Sequence, residues 1–463
     1  MDGLPPERRR WAVLTTSIAA AMSNIDLSMV NIALPTIARE LHITAAESVW
    51  IVNGYQFAIT IALIPVAAVA DIVGYLTVYR IGLAIVALAS LAAAGSRSLL
   101  PLIVARAVQG VGNISMATSS DALQRLIFPR SMLGRATGIN AMAVAIGVLS
   151  GPVIGGAILS VAPWPALFWL YVPVALAVLA ASFRVFPPTP GAGHAFDARS
   201  AVLGAVTFAA LVAALGGGGH GEAPLLVALE FALFAVLGWI FVRRQRTLPV
   251  SMYAVELFAR PVFRLSVIAS VVSFVAQTLA YIALPFLFQS IFERSVLASG
   301  LLMVPWLIGT AVMSPIAGHL SDRYDASLLG GVGLLGFAGG LALLALMPAH
   351  AATLDIIWRM AVCGTFYGFF QSPNNRAILS ATPRERAAAA SAIKQSARIV
   401  GQTTGASLAA LIFTFNASAL MNGAPTRAAV TICLGLAATL AALAALASAA
   451  RHRGMGEAVS AAS

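Results

Sequence analysis

Two charged residues fall deep inside long apolar stretches of this sequence: Asp26, between Trp11 and Pro35, and Arg106, between Leu99 and Ser120. A charge at the centre of a bilayer costs about 2.5 to 3.5 kcal/mol on insertion scales, so such a residue normally faces a helix-bundle interior. A carboxyl at Asp26 can exchange protons and so handle protons or cations; the plainer alternative is an interhelical hydrogen bond with no part in transport. Arg106 cannot lose its proton and must meet an acid, a carbonyl or water. It is either a fixed positive charge that stabilises a neighbouring ionised carboxylate or a structural partner only. Other charges have local explanations: Asp355 and Arg359 are four residues apart, as are Asp121 and Arg125, the spacing of helix-surface pairs. Glu230, in an eighth apolar stretch, is expected to meet lipid headgroups, water or a neighbouring helix rather than substrate. The six histidines all fall in loops or at helix ends and lack the i, i+4 pairing of a metalloprotease motif. Cys363 and Cys433 are predicted inside helices, away from any disulfide framework. No metal, cofactor or enzymatic constellation is expected.

The elements that must hold Asp26 and Arg106 follow from composition. Of 463 residues 60% are hydrophobic and 10% charged, against roughly 25% charged in a soluble domain. Seventeen acids and 28 bases cannot coat globular domains of this total length. A bilayer core needs about 20 largely apolar residues per helix, and the charge-poor runs supply fourteen. They are 11–35, 46–69, 76–95, 99–123, 136–160, 165–183, 200–217, 223–242, 265–289, 296–319, 327–347, 352–375, 388–414 and 425–449. The seventh and eighth are the weakest; without them the count is twelve and the parity is unchanged. Arg8-Arg9-Arg10 and Ala19-Ala20-Ala21 could belong to a secretory signal, but the apolar run continues to Leu34-Pro35, as in a retained anchor. Trp50, Trp164 and Trp358 fall at predicted outer ends, where aromatic rings anchor to the interface.

Orientation follows from the basic residues. With the N-terminus inside, Arg39, Arg97, Arg294 and Arg427 lie outside and Arg106 and Arg359 within spans, while the remaining 22 of the 28 bases mark the cytoplasmic face. Both termini are then cytoplasmic. The net charge of +11 is accordingly topological and no nucleic-acid partner is expected.

The sequence also repeats at an offset near 251. Pro65 and Ala67 before Asp71 match Pro315 and Gly318 before Asp322-Arg323; Arg106 and Gly110 match Arg359 and Gly364; Gly147-x-x-x-Gly151 matches Gly401-x-x-x-Gly405. Six helices therefore pair with six others, with the seventh and eighth as an insert. The expected domains are 1–184 and 263–463, two parallel six-helix bundles with a cavity between them, joined by 185–262.

These landmarks resemble the major facilitator superfamily, specifically its fourteen-helix drug:proton antiporter branch, over essentially the whole chain. Asp26-Leu-Ser-Met-Val-Asn31-Ile-Ala33-Leu34-Pro35 resembles the branch's first-helix signature. Arg106-Ala-Val-Gln109-Gly110 resembles its Arg-x-x-Gln-Gly motif, associated with proton coupling, and Gly147-x-x-x-Gly151-Pro152-x-x-Gly155-Gly156 its antiporter motif. The glycines allow close helix approach and Pro152 removes one helical hydrogen bond; the resemblance adds that such a helix limits leakage and suits exchange. The loop after the second helix departs from the family's Gly-x-x-x-Asp-Arg-x-Gly-Arg-Arg. It keeps Asp71 and Gly74, and its nearest base is Arg80. Gly318, Asp322 and Arg323 preserve the pattern better, so gating is expected to lean on the second half.

On the helices that the family arranges around its pathway, the candidate substrate-cavity residues are Asn31, Asn53, Tyr55, Gln56, Gln109, Gln277, Tyr281, Phe366, Tyr367, Phe370, Gln371 and Asn374. Such amides and aromatic rings suit large amphipathic or cationic compounds, and any one of them can instead serve packing. The resemblance implies an all-α, multi-pass protein of a bacterial inner membrane that exports drug-like compounds in exchange for protons by alternating access. An endogenous metabolite as substrate, or an importing symporter, is the alternative. The expected partners are a small molecule, protons and the bilayer. The chain is expected to act as a monomer, and the branch allows a periplasmic adaptor.

Overall fold

A computed structural model of the chain describes residues 3–129, 132–187, 198–219, 224–247, 255–321, 323–348, 350–382, 387–416 and 425–460. Apolar runs with few charges become helices because an intrahelical ladder satisfies every backbone group where water is absent. The helices are α1 Pro6–Glu40, α2 Ala45–Val73, α3 Tyr75–Ala94, α4 Leu99–Ile127, α5 Leu133–Val161, α6 Pro165–Trp169, α7 Tyr171–Val185, α8 Ala198–Gly219 and α9 Pro224–Thr247. They continue with α10 Pro261–Phe286, α11 Val296–Leu320, α12 Ala326–Ala345, α13 Thr353–Ser380, α14 Ala387–Asn416 and α15 Arg427–Ser460. Ten helical stretches among the described residues are long and apolar enough to cross a membrane. The sixth predicted span is two helices, α6 and α7, separated by Leu170 alone.

Local signals set the ends. Thr44 and Glu47 form a capping box: the Glu47 amide donates to Thr44 Oγ1 at 3.1 Å and the Thr44 amide to Glu47 Oε2 at 2.7 Å. Asp325 caps α12 by accepting from the Ser327 amide. The connection expected as a loop between the second and third helices is one residue, Gly74, at φ +99°. A side chain is strained there, so glycine makes so abrupt a break feasible.

The chain divides into two compact units, residues 1–213 with 295–297, and residues 214–294 with 298–463. In the first, α1 packs on α5, α2 on α4, and α3 on α4 and α7. In the second, α10 packs on α14 and α15, and α12 on α13 and α15; Thr310 of α11 donates to the Gly364 carbonyl of α13 at 3.0 Å. The apolar window of α9 has none of its residues buried, and Leu225, Leu229, Val236 and Trp239 are exposed along it. Of the three tryptophans expected as interface anchors, Trp358 is exposed and Trp164 is not: it is buried and stands edge-on to Phe168.

Candidate functional site

Helices α1 and α4 bring together the two charges that the sequence singles out. Arg106 Nη1 donates to Asp26 Oδ2 at 2.7 Å and Oδ1 at 2.9 Å, and to Gln109 Oε1 at 2.6 Å. Gln109 sits one turn after Arg106 on α4, so Arg-x-x-Gln spacing makes both side chains face α1. Its Nε2 donates to Asp26 Oδ1 at 3.3 Å and to Ser90 Oγ of α3 at 3.1 Å. The other side of the guanidinium lies over aromatic faces, 4.4 Å from the Tyr55 centroid and 5.7 Å from that of Phe168. Asp26, Arg106, Gln109 and Ser90 are at most 1% exposed. Removing an ion pair from water is compensated only by this kind of geometry and accessory bonding. Protonation of Asp26 would abolish the pair's Coulomb attraction and leave a neutral acid beside a cation.

Neighbouring amides are less satisfied. Asn53 is fully buried with neither side-chain polar atom bonded, and Asn31 Oδ1 and Asn113 Oδ1 also lack partners. Gln56 is buried one residue after Tyr55. The antiporter-motif glycines act as expected of small residues. A Cβ at Gly147 would lie 2.5 Å from the Ala21 carbonyl oxygen, one at Gly151 would collide with Ser28 Oγ, and one at Gly155 would reach Met29 Cγ at 2.6 Å. Pro152 and Gly156 lie in the same helix, α5.

The second unit separates its candidates. Tyr367 donates its hydroxyl to Gln277 Oε1 at 2.9 Å and meets the Phe274 ring. Tyr281 stands edge-on to Trp306, which packs on Phe337, which packs on Tyr367. Phe366, Phe370 and Asn374 make packing contacts and hydrogen bonds within the unit. Phe366 fills the space over Gly336, where a Cβ would overlap its ring. Phe370 joins a core of Ala269, Leu334, Ala444 and Ala445, and Asn374 Nδ2 donates to Ser270 Oγ at 2.7 Å and to the Ser266 carbonyl at 3.2 Å. Gln371 is half-buried on α13.

Among the gating candidates, the side chain of Asp71 and the whole of Asp322 lie outside the described residues. Arg80 is no loop residue: from α3 it donates to the Ser182 carbonyl of α7 at 2.8 Å and lies 4.1 Å from the Phe183 centroid, which ties two helices together. Gly318 faces Ser372 Oγ and Arg323 is exposed. Asp355 Oδ1 accepts from Arg359 Nε at 3.1 Å and from Trp358 Nε1 at 2.8 Å.

Ser90 is the member of the Asp26 cluster that the sequence does not single out. Lys394 and Arg398 stand in the eighth and twelfth positions of α14. Arg398 is half-buried, and residues 394, 398, 401 and 405 recur at helical spacing, on the face that Gly401 and Gly405 press against Val271 and Val275 of α10.

The family model described as Major Facilitator Superfamily matches residues 16–406 and, again, 266–461. A protein named as an uncharacterized transporter, YebQ of Escherichia coli strain K12, is 44% identical over 89% of this chain and 90% of its own. The multidrug efflux pump LfrA of Mycolicibacterium smegmatis is 30% identical over 88% and 81%, and the riboflavin transporter RibZ of Clostridioides difficile 29% identical over 82% and 83%. A bacterial homologue of the human lysosomal transporter Spinster, 16% identical, superposes with a TM-score of 0.72 over 97% of this chain and 98% of its own, a likeness of fold.

Proposed function

The chain belongs to the Major Facilitator Superfamily of membrane transporters, and from that premise we propose that it exports amphipathic, drug-like organic compounds in exchange for protons. The observation that carries this reading is the buried Asp26–Arg106 pair with Gln109 and Ser90. It is a titratable carboxyl on the first helix, held by a charge that cannot titrate. Deprotonated Asp26 holds α1 to α4 through Arg106. Protonation weakens that tie, so a proton and a substrate favour different states of the pair and each displaces the other. Asn31, Asn53, Tyr55 and Gln56 are the polar groups of the first unit from which we would build a substrate path. The efflux pump among the relatives supports export, and close helix approach at Gly147 and Gly151 supports exchange without leak. The riboflavin transporter among the relatives favours a second substrate reading, a flat aromatic metabolite of the cell.

In the same proposal fourteen spans cross a bacterial cytoplasmic membrane with both termini inside, α6 and α7 forming one span. Residues 1–184 and 263–463 are the two bundles, residues 185–262 the insert, and the monomer works by alternating access. Asp71, Gly74, Gly318, Asp322 and Arg323 gate it.

A toxicity panel in an efflux-deficient bacterium identifies a transported compound, which is then followed in everted vesicles. Acidification of the lumen should drive its uptake, and Asp26→Asn should abolish that uptake. Full proton-coupled transport by the Asn variant rejects the role of Asp26, and uptake indifferent to lumenal pH rejects antiport.

A further inference from the structure

Arg106 meets all of its hydrogen-bond acceptors through one nitrogen. Nη1 reaches both oxygens of Asp26 and Oε1 of Gln109, while Nε and Nη2 are buried with no acceptor. Those two nitrogens form the edge by which a guanidinium takes an acceptor side-on. While Asp26 is ionised, its carboxylate offsets the charge of Arg106, and the unused edge lacks only hydrogen bonds. A proton on Asp26 removes that offset. It leaves a buried cation with Gln109 Oε1 and two aromatic faces, those of Tyr55 and Phe168. An uncompensated buried charge is strongly destabilising, so the protonated state needs a further acceptor on the unused edge.

An unbonded oxygen stands on the wall that already touches the guanidinium. Phe168 of α6 lies against Arg106, and the chain continues through Leu170 in the right-handed helical region, at φ −58° and ψ −33°. Tyr171 therefore follows Phe168 by one turn on the same side. It is 2% exposed, and its hydroxyl makes no hydrogen bond. The charged and titratable groups that act on it are Asp26 of α1, Arg106 of α4 and Tyr55 of α2; α5 faces α1 with Gly147, Gly151 and Gly155. Tyr79 and Arg80 of α3 meet α7 only at Phe186 and Ser182, about three turns or more beyond Tyr171. Gln109 and Ser90 are already bonded to each other.

We infer that Tyr171 is a positioning residue for proton coupling: when Asp26 takes its proton, the Tyr171 oxygen accepts from the Nε–Nη2 edge of Arg106 and holds the released guanidinium. This deepens the proposed exchange and rests on it. A phenol oxygen can accept while its own proton points away. The hydroxyl contributes no bond to the ion pair as it stands, so its removal weakens the protonated state and not the paired one.

The test is a pH titration of the full chain in lipid nanodiscs, followed by infrared difference spectroscopy. The carboxylic-acid C=O band of Asp26 is assigned by its loss in Asp26→Asn. Tyr171→Phe keeps the ring, deletes the unbonded oxygen, and should lower the proton affinity of Asp26 about tenfold, which moves the pH of half-protonation down by about one unit. Tyr79→Phe deletes another buried, unbonded hydroxyl of the same unit and should leave that pH in place. In the unaltered chain a tyrosine C–O vibration should change in the same step, a reading independent of any variant at position 171. A midpoint unmoved or raised in Tyr171→Phe, an equal shift in Tyr79→Phe, or a step without a tyrosine signal overturns the inference. A band that titrates but ignores Tyr171 leaves exchange through Asp26 standing, whereas absence of any Asp26 band removes both.

Discussion

Arg106 works in two directions. One terminal nitrogen holds both oxygens of Asp26 and the carbonyl of Gln109, while the plane of the guanidinium lies over Tyr55. A lysine is a compact point charge that cannot stack and reach three acceptors at once, so Arg106→Lys keeps the charge and loses the geometry. Transport in vesicles should fall by at least about tenfold. Arg106→Leu leaves Asp26 buried beside no cation and should destabilise the protein by about 3 to 5 kcal/mol, read as a lowered melting temperature in detergent. Adding Asp26→Asn should recover much of that stability without restoring transport. A double variant no more stable than Arg106→Leu would show that the pair is not the source of the loss. The two charges were legible in sequence as exceptions to the exclusion of charge from apolar runs, and Gln109 as part of a motif. Their union was not, because Asp26 and Arg106 are 80 positions apart and only packing of α1 on α4 closes that distance.

At the scale of elements, each unit is built on glycine contacts that recur between equivalent helices. Gly147 and Gly151 seat α5 on α1; Gly401 and Gly405 seat α14 on α10. Gly110 meets the Tyr55 carbonyl, and Gly364 the Trp306 carbonyl. Gly147→Val should therefore separate α5 from α1, costing about 1 to 3 kcal/mol or more by overpacking and opening a proton leak in vesicles. Gly339 and Gly435 have nothing within 4 Å of an added Cβ, and alanine there should be neutral or stabilising by up to about 1 kcal/mol. Equal melting temperatures for Gly147→Val and Gly339→Ala would refute this division. The repeat was legible, but a single offset near 251 blurred it. Pro35 and Pro285, each ending an Ile-Ala-Leu-Pro sequence, are 250 apart, while Gly151 and Gly405 are 254 apart, because connections between helices differ in length. On the later register the counterpart of Arg106 is the fully buried Met360, and Arg359, one position earlier, turns toward Asp355 and the Leu343 carbonyl. At the position equivalent to Arg106 the second half therefore carries no arginine.

Across the whole molecule, large apolar side chains such as Leu88, Leu100, Leu346 and Leu354 are exposed, which suits a lipid-facing surface and no aqueous one. Charge is then concentrated in the connections and in a few interior positions, so the charge of the cargo has a thermodynamic consequence. A membrane potential contributes about 2.3 kcal/mol per elementary charge per 100 mV. Exchange of an organic cation for one proton moves no net charge and is blind to that potential. Exchange of a monoanion for one proton carries two charges in the same sense, so about 4.6 kcal/mol per 100 mV is added to the drive when the interior is negative. If the exported cargo is acidic and Asp26 carries the proton, potential alone should power efflux. Proteoliposomes loaded with fluorescein at equal pH on both sides, given an inside-negative potassium diffusion potential through valinomycin, should release the dye. Reversal of the potential should suppress that release, as should Asp26→Asn. Release that ignores the potential would exclude anion-for-proton exchange and return the transporter to a cationic or neutral cargo.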